Sequence, residues 1–176
     1  MDKQSSGYLL YILRHGVAVA RESPDFPDDD ARPLTPKGIK KLQQAVEGLI
    51  RTGFEPDWIV TSPLVRAKET AAIVAEALPS KVPMDACDAL RPGSSFADLQ
   101  AFLTDHIDRR CVLLVGHEPD LGRLAARLIG AGPHGNLAFK KGGCCLIQWE
   151  QQPFESVGQL VWWLTPRLLR SLAGNR

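Results

Sequence analysis

No apolar stretch in this chain approaches the roughly 20 residues that a membrane-spanning helix needs. The longest unbroken one is Tyr8 to Leu13. Net charge is nearly missing as well, since 21 Lys and Arg face 20 Asp and Glu. No global field therefore draws the chain to nucleic acid or to an anionic membrane, and any anion must be recruited by a local cluster of positive groups. Met1 to Gly7 lacks the apolar core of a signal peptide, reads as a flexible N-terminus, and makes the cytoplasm the expected compartment. The four cysteines, Cys87, Cys111, Cys144 and Cys145, contain no Cys-x-x-Cys pair, which argues against a structural metal site. They read as small buried hydrophobes, and a reducing compartment argues against disulfides.

What is present is an alternation of short apolar runs and helical patterns. Strands are expected at Tyr8–Leu13, Trp58–Thr61, Val82–Asp85, Cys111–Gly116, Cys144–Trp149 and Gln159–Leu164. Thr35 caps a helix with Pro36 at its first position, and Leu42, Val46, Leu49 and Ile50 repeat on one face until Gly53. Ser62-Pro63 gives the same start signal to a second helix carrying Ala67, Ala71, Val74 and Leu78. A third helix is expected from Ser95 to about Asp105, and a fourth from an Asp120 cap to Gly130. A short basic one follows Thr165-Pro166. This pattern predicts one α/β domain over residues 1–176, a three-layer α/β/α arrangement. Its mostly parallel sheet has about six strands, one of them antiparallel at the side. Glu22 to Asp30 is acidic, contains proline and reads as a surface loop.

The most informative residues are Arg14-His15-Gly16, where the first apolar run ends. Loops at the carboxyl ends of parallel strands are where α/β proteins place ligand chemistry. Three further segments join that triplet. They are Arg32-Pro33-Leu34-Thr35-Pro36-Lys37-Gly38, then Thr61 to Thr70 with Ser62 and Arg66, and Val115-Gly116-His117-Glu118-Pro119. A lone arginine at a strand end often makes only an ion pair, and a lone histidine often satisfies a local hydrogen bond. Here two of the four histidines close apolar strands beside glycine, and Arg66 follows a third such strand. Those ends converge on one crevice in an α/β sheet. Arginine grips phosphate oxygens with a planar fork, and neutral imidazole forms a covalent phospho-intermediate without a metal. His106 and His134 lie outside these segments and read as surface residues.

In order and spacing the four segments resemble the histidine phosphatase superfamily, closest to its SixA-type phosphohistidine phosphatases, over roughly Tyr8 to Trp149. The resemblance implies a phosphoglycerate mutase-like fold, no cofactor and no metal. It implies His15 as the nucleophile that becomes phosphorylated, Arg14 and Arg66 as the phosphate-gripping arginines, and a cationic His117 stabilising the equatorial oxygens. Arg32 matches a further arginine of the SixA-type pattern, facing phosphate or the surroundings of the substrate. Ser62 offers a hydroxyl and the positive end of the helix it starts. Thr35 and Thr70 read as structural.

Departures from the family bear on the substrate. Mutase-like members carry a glutamate acid where this chain reads Asp85 to Gly93 with no glutamate, and acid phosphatase-like members have Asp where this chain has Glu118. Glu118 and Asp88 remain as possible acids. An alkoxide, whose conjugate acid is about as weak as water at pKa about 15.7, needs protonation to leave. Imidazole, with a pKa near about 6.5, needs far less help. The expected activity is hydrolysis of phosphohistidine in a protein of a signalling relay. The alternatives are a small phosphomonoester with Glu118 as acid, or a module that binds phosphate-type anions without turnover. A metal site at His15 and His117 conflicts with the arginines beside them. The oligomeric state is open. The basic stretch Arg167 to Arg176, with Trp162 and Trp163 nearby, reads as a terminal helix packed on a sheet edge or as a docking surface.

Overall fold

The computed structural model describes residues 7–132, 135 and 137–174. Most of the proposed flexible N-terminus, His134 and the last two residues of the basic stretch lie outside them. Six strands form one sheet: β1 (Tyr8–Arg14), β2 (Trp58–Thr61), β3 (Met84–Ala86), β4 (Cys111–Gly116), β5 (Cys144–Trp149) and β6 (Gln159–Leu164), in the order β3-β2-β4-β1-β5-β6. β3, β2, β4 and β1 pair in parallel, and β5 is antiparallel to both β1 and β6. The single antiparallel strand therefore lies one place in from the edge that β6 forms.

Both faces of the central strands are covered, which is why their sequences run apolar without alternation. Tyr8, Leu10 and Ile12 of β1 point into one core, and Tyr11 and Leu13 point into the other. Helices α3 (Phe96–Thr104) and α4 (Asp120–Leu128) supply Leu99, Leu103, Leu121, Leu124 and Leu128 to the first. Helices α1 (Pro36–Ile50), α2 (Val65–Ala77) and α5 (Pro166–Leu172) supply Leu42, Val46, Leu49, Ala67, Ala71, Val74 and Leu169 to the second. These are the three expected layers. No helix among the described residues is long and apolar enough to cross a membrane.

Several local expectations change. β3 starts two residues later than Val82 and is exposed along its length. The second helix starts at Val65, with Leu64 rather than Ser62 at the cap position and no side-chain cap; the Ser62 hydroxyl instead contacts His117 and the Leu64 N–H. Asp120 is the first residue of α4 rather than its cap, and its carboxylate accepts from the Gly93 N–H at 2.8 Å. His106 is half-buried, its ring 4.7 Å from that of Trp58. Cys87, Cys144 and Cys145 are buried free thiols, and Cys111 is half-buried. α5 packs on α1, leaving the edge strand β6 uncovered along its exposed residues.

Candidate active site

β2, β4 and β1 are neighbours, and all three end on one side of the sheet. Backbone bonds tie the loops leaving them: the His15 N–H donates to Gly116 carbonyl oxygen at 3.1 Å, and the Ser62 N–H to that of Val115 at 2.9 Å. This brings His15 and His117 together, with ring centroids 5.1 Å apart and planes tilted by 52°. Arg66 enters from the first turn of α2 and Arg14 from the last residue of β1.

His15 is buried, and its Nδ1 lies 2.7 Å from the Gly16 carbonyl oxygen. A carbonyl only accepts, so Nδ1 carries the proton and Nε2 keeps its lone pair. Burial, reinforced by the charges of Arg66 and Arg14 and by His117, outweighs the Gly16 bond and pushes the pKa of His15 down to about 3. The ring is neutral at neutral pH. Thr70 fixes this loop: its hydroxyl accepts from the Gly16 N–H at 3.0 Å and donates to the Arg66 carbonyl oxygen at 2.7 Å. Its structural role is thus to hold the loop after His15 to α2.

Both arginines share one arrangement. Arg14 donates from Nη1 to the Phe139 carbonyl oxygen at 2.6 Å, and its buried Nε has no partner. Arg66 donates from Nη1 to the Asp29 carbonyl oxygen at 2.6 Å and from Nη2 to the Asp29 carboxylate at 2.9 Å, and its buried Nε is again unpaired. Each guanidinium is anchored through its terminal nitrogens, Nη1 in Arg14 and both in Arg66, and neither Nε has a hydrogen-bond partner among the described residues. Burial lowers the pKa of both groups, yet an arginine stays charged.

His117 completes the set. Its Nε2 lies 2.8 Å from Ser62 Oγ, while its Nδ1 is buried and unpaired. Ser62 Oγ accepts from the Leu64 N–H at 3.4 Å, so its own proton is free to go to Nε2. With the Ser62 hydroxyl donating to Nε2, the ring proton sits on Nδ1, which is then a donor for an anion. Burial, with Arg66 and Arg14, pushes the His117 pKa down to about 4. With no anion on the site His117 is therefore neutral at neutral pH, and the cationic form expected from the sequence would require the charge of a bound phosphate. Ser62 acts by orienting His117. Three unpaired buried nitrogens, on Arg14, Arg66 and His117, thus accompany the free Nε2 of His15.

Arg32 does not join them. Its Nε and Nη2 both donate to the Asp29 carboxylate, at 2.9 and 2.7 Å, and its Nη1 donates to the Val19 carbonyl oxygen. Arg32, expected to face phosphate or the surroundings of the substrate, here braces the Asp29 carboxylate. Asp29 itself was not singled out from the sequence, where it belonged to an unpatterned acidic loop. The loop is tied at its base by the pairing of Ala18 with Leu34, and Asp29 opens the 3-10 turn Asp29–Ala31. Burial opposes its charge, but the bond from Arg32 and the charges of Arg66, Arg32 and Arg21 hold its pKa down at about 2. The signal available in the sequence was the spacing of Asp29 and Arg32, three residues apart.

Glu118, the expected acid, accepts from the Phe139 N–H at 2.8 Å. It thereby holds the same residue whose carbonyl anchors Arg14. Burial raises its pKa, while the Phe139 bond and Arg14 pull against the rise. Asp88 is ion-paired to Arg91 at 2.8 Å, and its side chain is 84% exposed. Among the described residues no three His, Cys, Asp or Glu side chains gather as a metal site requires.

Residues 10–93 match the model of the histidine phosphatase superfamily, branch 1. An uncharacterised protein of Picosynechococcus sp. is 35% identical over 136 residues, covering 76% of this chain and 81% of its own length. The phosphohistidine phosphatase SixA of Escherichia coli is 29% identical over 123 residues, covering 68% and 73%. Among solved structures, the protein histidine phosphatase SixA complexed with tungstate superposes with a TM-score of 0.76 at 23% identity, over 92% of this chain and 99% of its own. A mycobacterial glucosyl-3-phosphoglycerate phosphatase superposes with a TM-score of 0.66 at 18% identity, over 90% and 99%. With its paired histidines and arginines at the ends of three adjacent strands, the chain belongs to the histidine phosphatase superfamily and is SixA-like in fold.

Proposed function

We propose that this phosphatase hydrolyses phosphohistidine in a protein through a covalent intermediate on His15. His15 Nε2 attacks phosphorus in line, the bond from phosphorus to the substrate's imidazole nitrogen breaks, and the substrate ring, protonated on its other nitrogen, leaves as neutral imidazole with the bonding electron pair. Water then attacks phospho-His15, releasing inorganic phosphate and restoring the neutral ring. Arg14 Nε, Arg66 Nε and His117 Nδ1 donate to the equatorial oxygens, where phosphoryl transfer needs its stabilisation. That a SixA of the same fold is complexed with tungstate, a tetrahedral oxyanion, is consistent with this reading.

One observation carries the choice of substrate: the carboxylates around the cradle are already engaged. Asp29 is held by Arg66 and Arg32, Glu118 by Phe139, Asp88 and Asp30 by Arg91, and Asp120 by Gly93. A site with no free acid among its described residues suits a leaving group that needs little protonation. A cavity of about 320 Å³ opens beside His117, with Leu90, Phe96, Leu99 and Leu124 on its walls and Arg127 stacked over Phe96. It provides room for the leaving-group side of the substrate.

One feature favours a second reading. Burial raises the pKa of Glu118, as an acid for small phosphomonoesters would require. The test is turnover of a histidine-phosphorylated phosphotransfer domain beside a panel of phosphomonoesters, with His15→Ala and Glu118→Gln. His15→Ala is expected to abolish turnover of every substrate with its circular dichroism spectrum unchanged; near-normal rates would refute the nucleophile. Glu118→Gln is expected to change both substrate classes alike, through Phe139 and Arg14. A loss on the order of 10²–10⁴-fold confined to phosphomonoesters would establish the second reading instead.

A further inference from the structure

The charges of this chain are segregated. Lys37, Lys40 and Lys41 on α1, Lys140 and Lys141 before β5, and Arg167 and Arg170 on α5 belong to three segments that meet beside the nucleophile's loop. They are seven of the 21 Lys and Arg, which leaves 14 against 20 Asp and Glu over the rest of a nearly neutral chain. From Pro36 to Val46, Leu137 to Gly143 and Thr165 to Gly174 there is no carboxylate side chain at all. Among the described residues none of the seven has an ion-pair partner.

Three of them converge. Lys41, Lys141 and Arg170 line a cleft of about 190 Å³ together with Gly16, Val17 and Gly142. Lys37 lies one turn from Lys41 on the same helix face, and Arg167 one turn from Arg170. Val17 is 38% exposed, an apolar spot inside a positive ring. The cleft is also fixed relative to the chemistry. The Gly142 N–H donates to the carbonyl oxygens of Arg14 and His15, at 3.0 and 3.1 Å, so Lys141 sits one residue from the bond that pins the nucleophile's loop. The opposite flank of the cradle carries Asp29 and Asp30, both neutralised by arginines.

We propose that this basic face, centred on the Lys41–Lys141–Arg170 cleft, docks an acidic surface of the phosphorylated protein substrate. The proposal rests on the phosphohistidine reading and deepens it, naming the substrate as a protein with carboxylates beside its phosphohistidine. Such a surface steers encounter and sets which partners are accepted, and its contribution falls with salt. A small phosphorylated compound held only in the cradle gains nothing from it.

The experiment compares two phosphohistidine peptides, flanked by Asp and Glu or by Ser and Gly, and phosphoramidate as a small substrate. Wild type is set beside Lys41→Glu, Lys141→Glu and Arg170→Glu, singly and together, from 20 to 300 mM salt. Wild type is expected to favour the acidic peptide by about tenfold in kcat/KM at low salt, with the preference shrinking as salt rises. The triple variant is expected to remove that preference and to leave phosphoramidate turnover unchanged. Equal use of both peptides by wild type, or variants that keep the preference, would overturn the docking surface alone. Wild type that hydrolyses neither peptide while cleaving phosphomonoesters would overturn the phosphohistidine reading and the docking surface with it. Variants that weaken binding of duplex DNA without altering peptide kinetics would assign the face to nucleic acid.

Discussion

At the scale of single residues, the cradle depends on a carboxylate that carries no catalytic proton. Asp29 occupies the outer end of Arg66 with its carbonyl and its carboxylate, and Arg32 holds that carboxylate in place. Removing the charge should let the Arg66 fork rotate, since its Nε side is kept on target only by those bonds. Misplacement by about 1 Å costs on the order of 100-fold in rate. Asp29→Asn is therefore expected to lower kcat by about that factor with little change in KM for phosphoramidate. The acid limb of its pH profile should stay where it is in wild type, because Asp29 is already ionised there with a pKa of about 2. Steady-state kinetics from pH 4 to 8 would show it; an acid limb that disappears in the variant would mean that Asp29 moves a proton after all. His15 and His117, the rings proposed to act on phosphate, could be picked out of the sequence because each directly follows an apolar strand. The roles of Asp29 and Phe139 were not legible there, because they act through bonds to residues 37 and 125 positions away, and Thr70 could be read as structural without its partner 54 positions away being foreseen. No local pattern records such contacts.

At the scale of elements, the position of α1 is set by two close approaches of backbone to glycine. A Cβ at Gly38 would lie 2.2 Å from the Val17 carbonyl oxygen, and one at Gly48 would lie 1.7 Å from that of Leu169 in α5. The first holds the start of α1 against the loop after His15, and the second brings α5 onto α1. Gly48→Ala raises intrinsic helix propensity, which would stabilise by about 1 kcal/mol on its own, but the clash is with backbone that cannot rotate away. Overpacking of this kind costs about 1–3 kcal/mol or more. The variant is expected to unfold at lower denaturant concentration, seen by urea melts, while the kcat of the folded fraction is kept. A melt at or above the wild-type midpoint would mean that α5 shifts without cost. Four strands, β2, β4, β5 and β6, have the bounds expected from their apolar runs, because hydrophobic period is a local property. β3 was misplaced because its pairing with Ile59 to Thr61 decides its register and its own side chains are exposed. The start of α2 was misplaced because the Ser62 hydroxyl serves His117, a contact across 55 residues.

At the scale of the whole molecule, stability and function compete over the same two histidines. His15 and His117 are 6% and 3% exposed, and burial beside two arginines pushes their pKa values down to about 3 and about 4. In the unfolded chain both titrate near about 6.5. Above that pH neither state binds the protons, and the histidines make no pH-dependent contribution. Below it the unfolded chain takes up protons that the folded one refuses, so stability falls as pH is lowered from about 6.5 towards 4. Each histidine contributes at most about 1.4 kcal/mol per pH unit in that window. Asp29 works in a separate one: its pKa is lowered from 3.8 to about 2, so its stabilisation is present above 3.8 and lost only as pH falls below it. Between pH 6.5 and 4.5 the histidines should therefore dominate the site's share of the slope. Urea melts in anion-free buffer are expected to show a midpoint that falls with pH, and His15→Gln with His117→Gln should flatten it. Phosphate should oppose the fall in wild type, because an anion on the cradle favours a protonated His117 in the folded state. If the double variant keeps the full wild-type slope, the two rings already hold their protons at pH 6, and the neutral nucleophile that the geometry of His15 describes would be wrong.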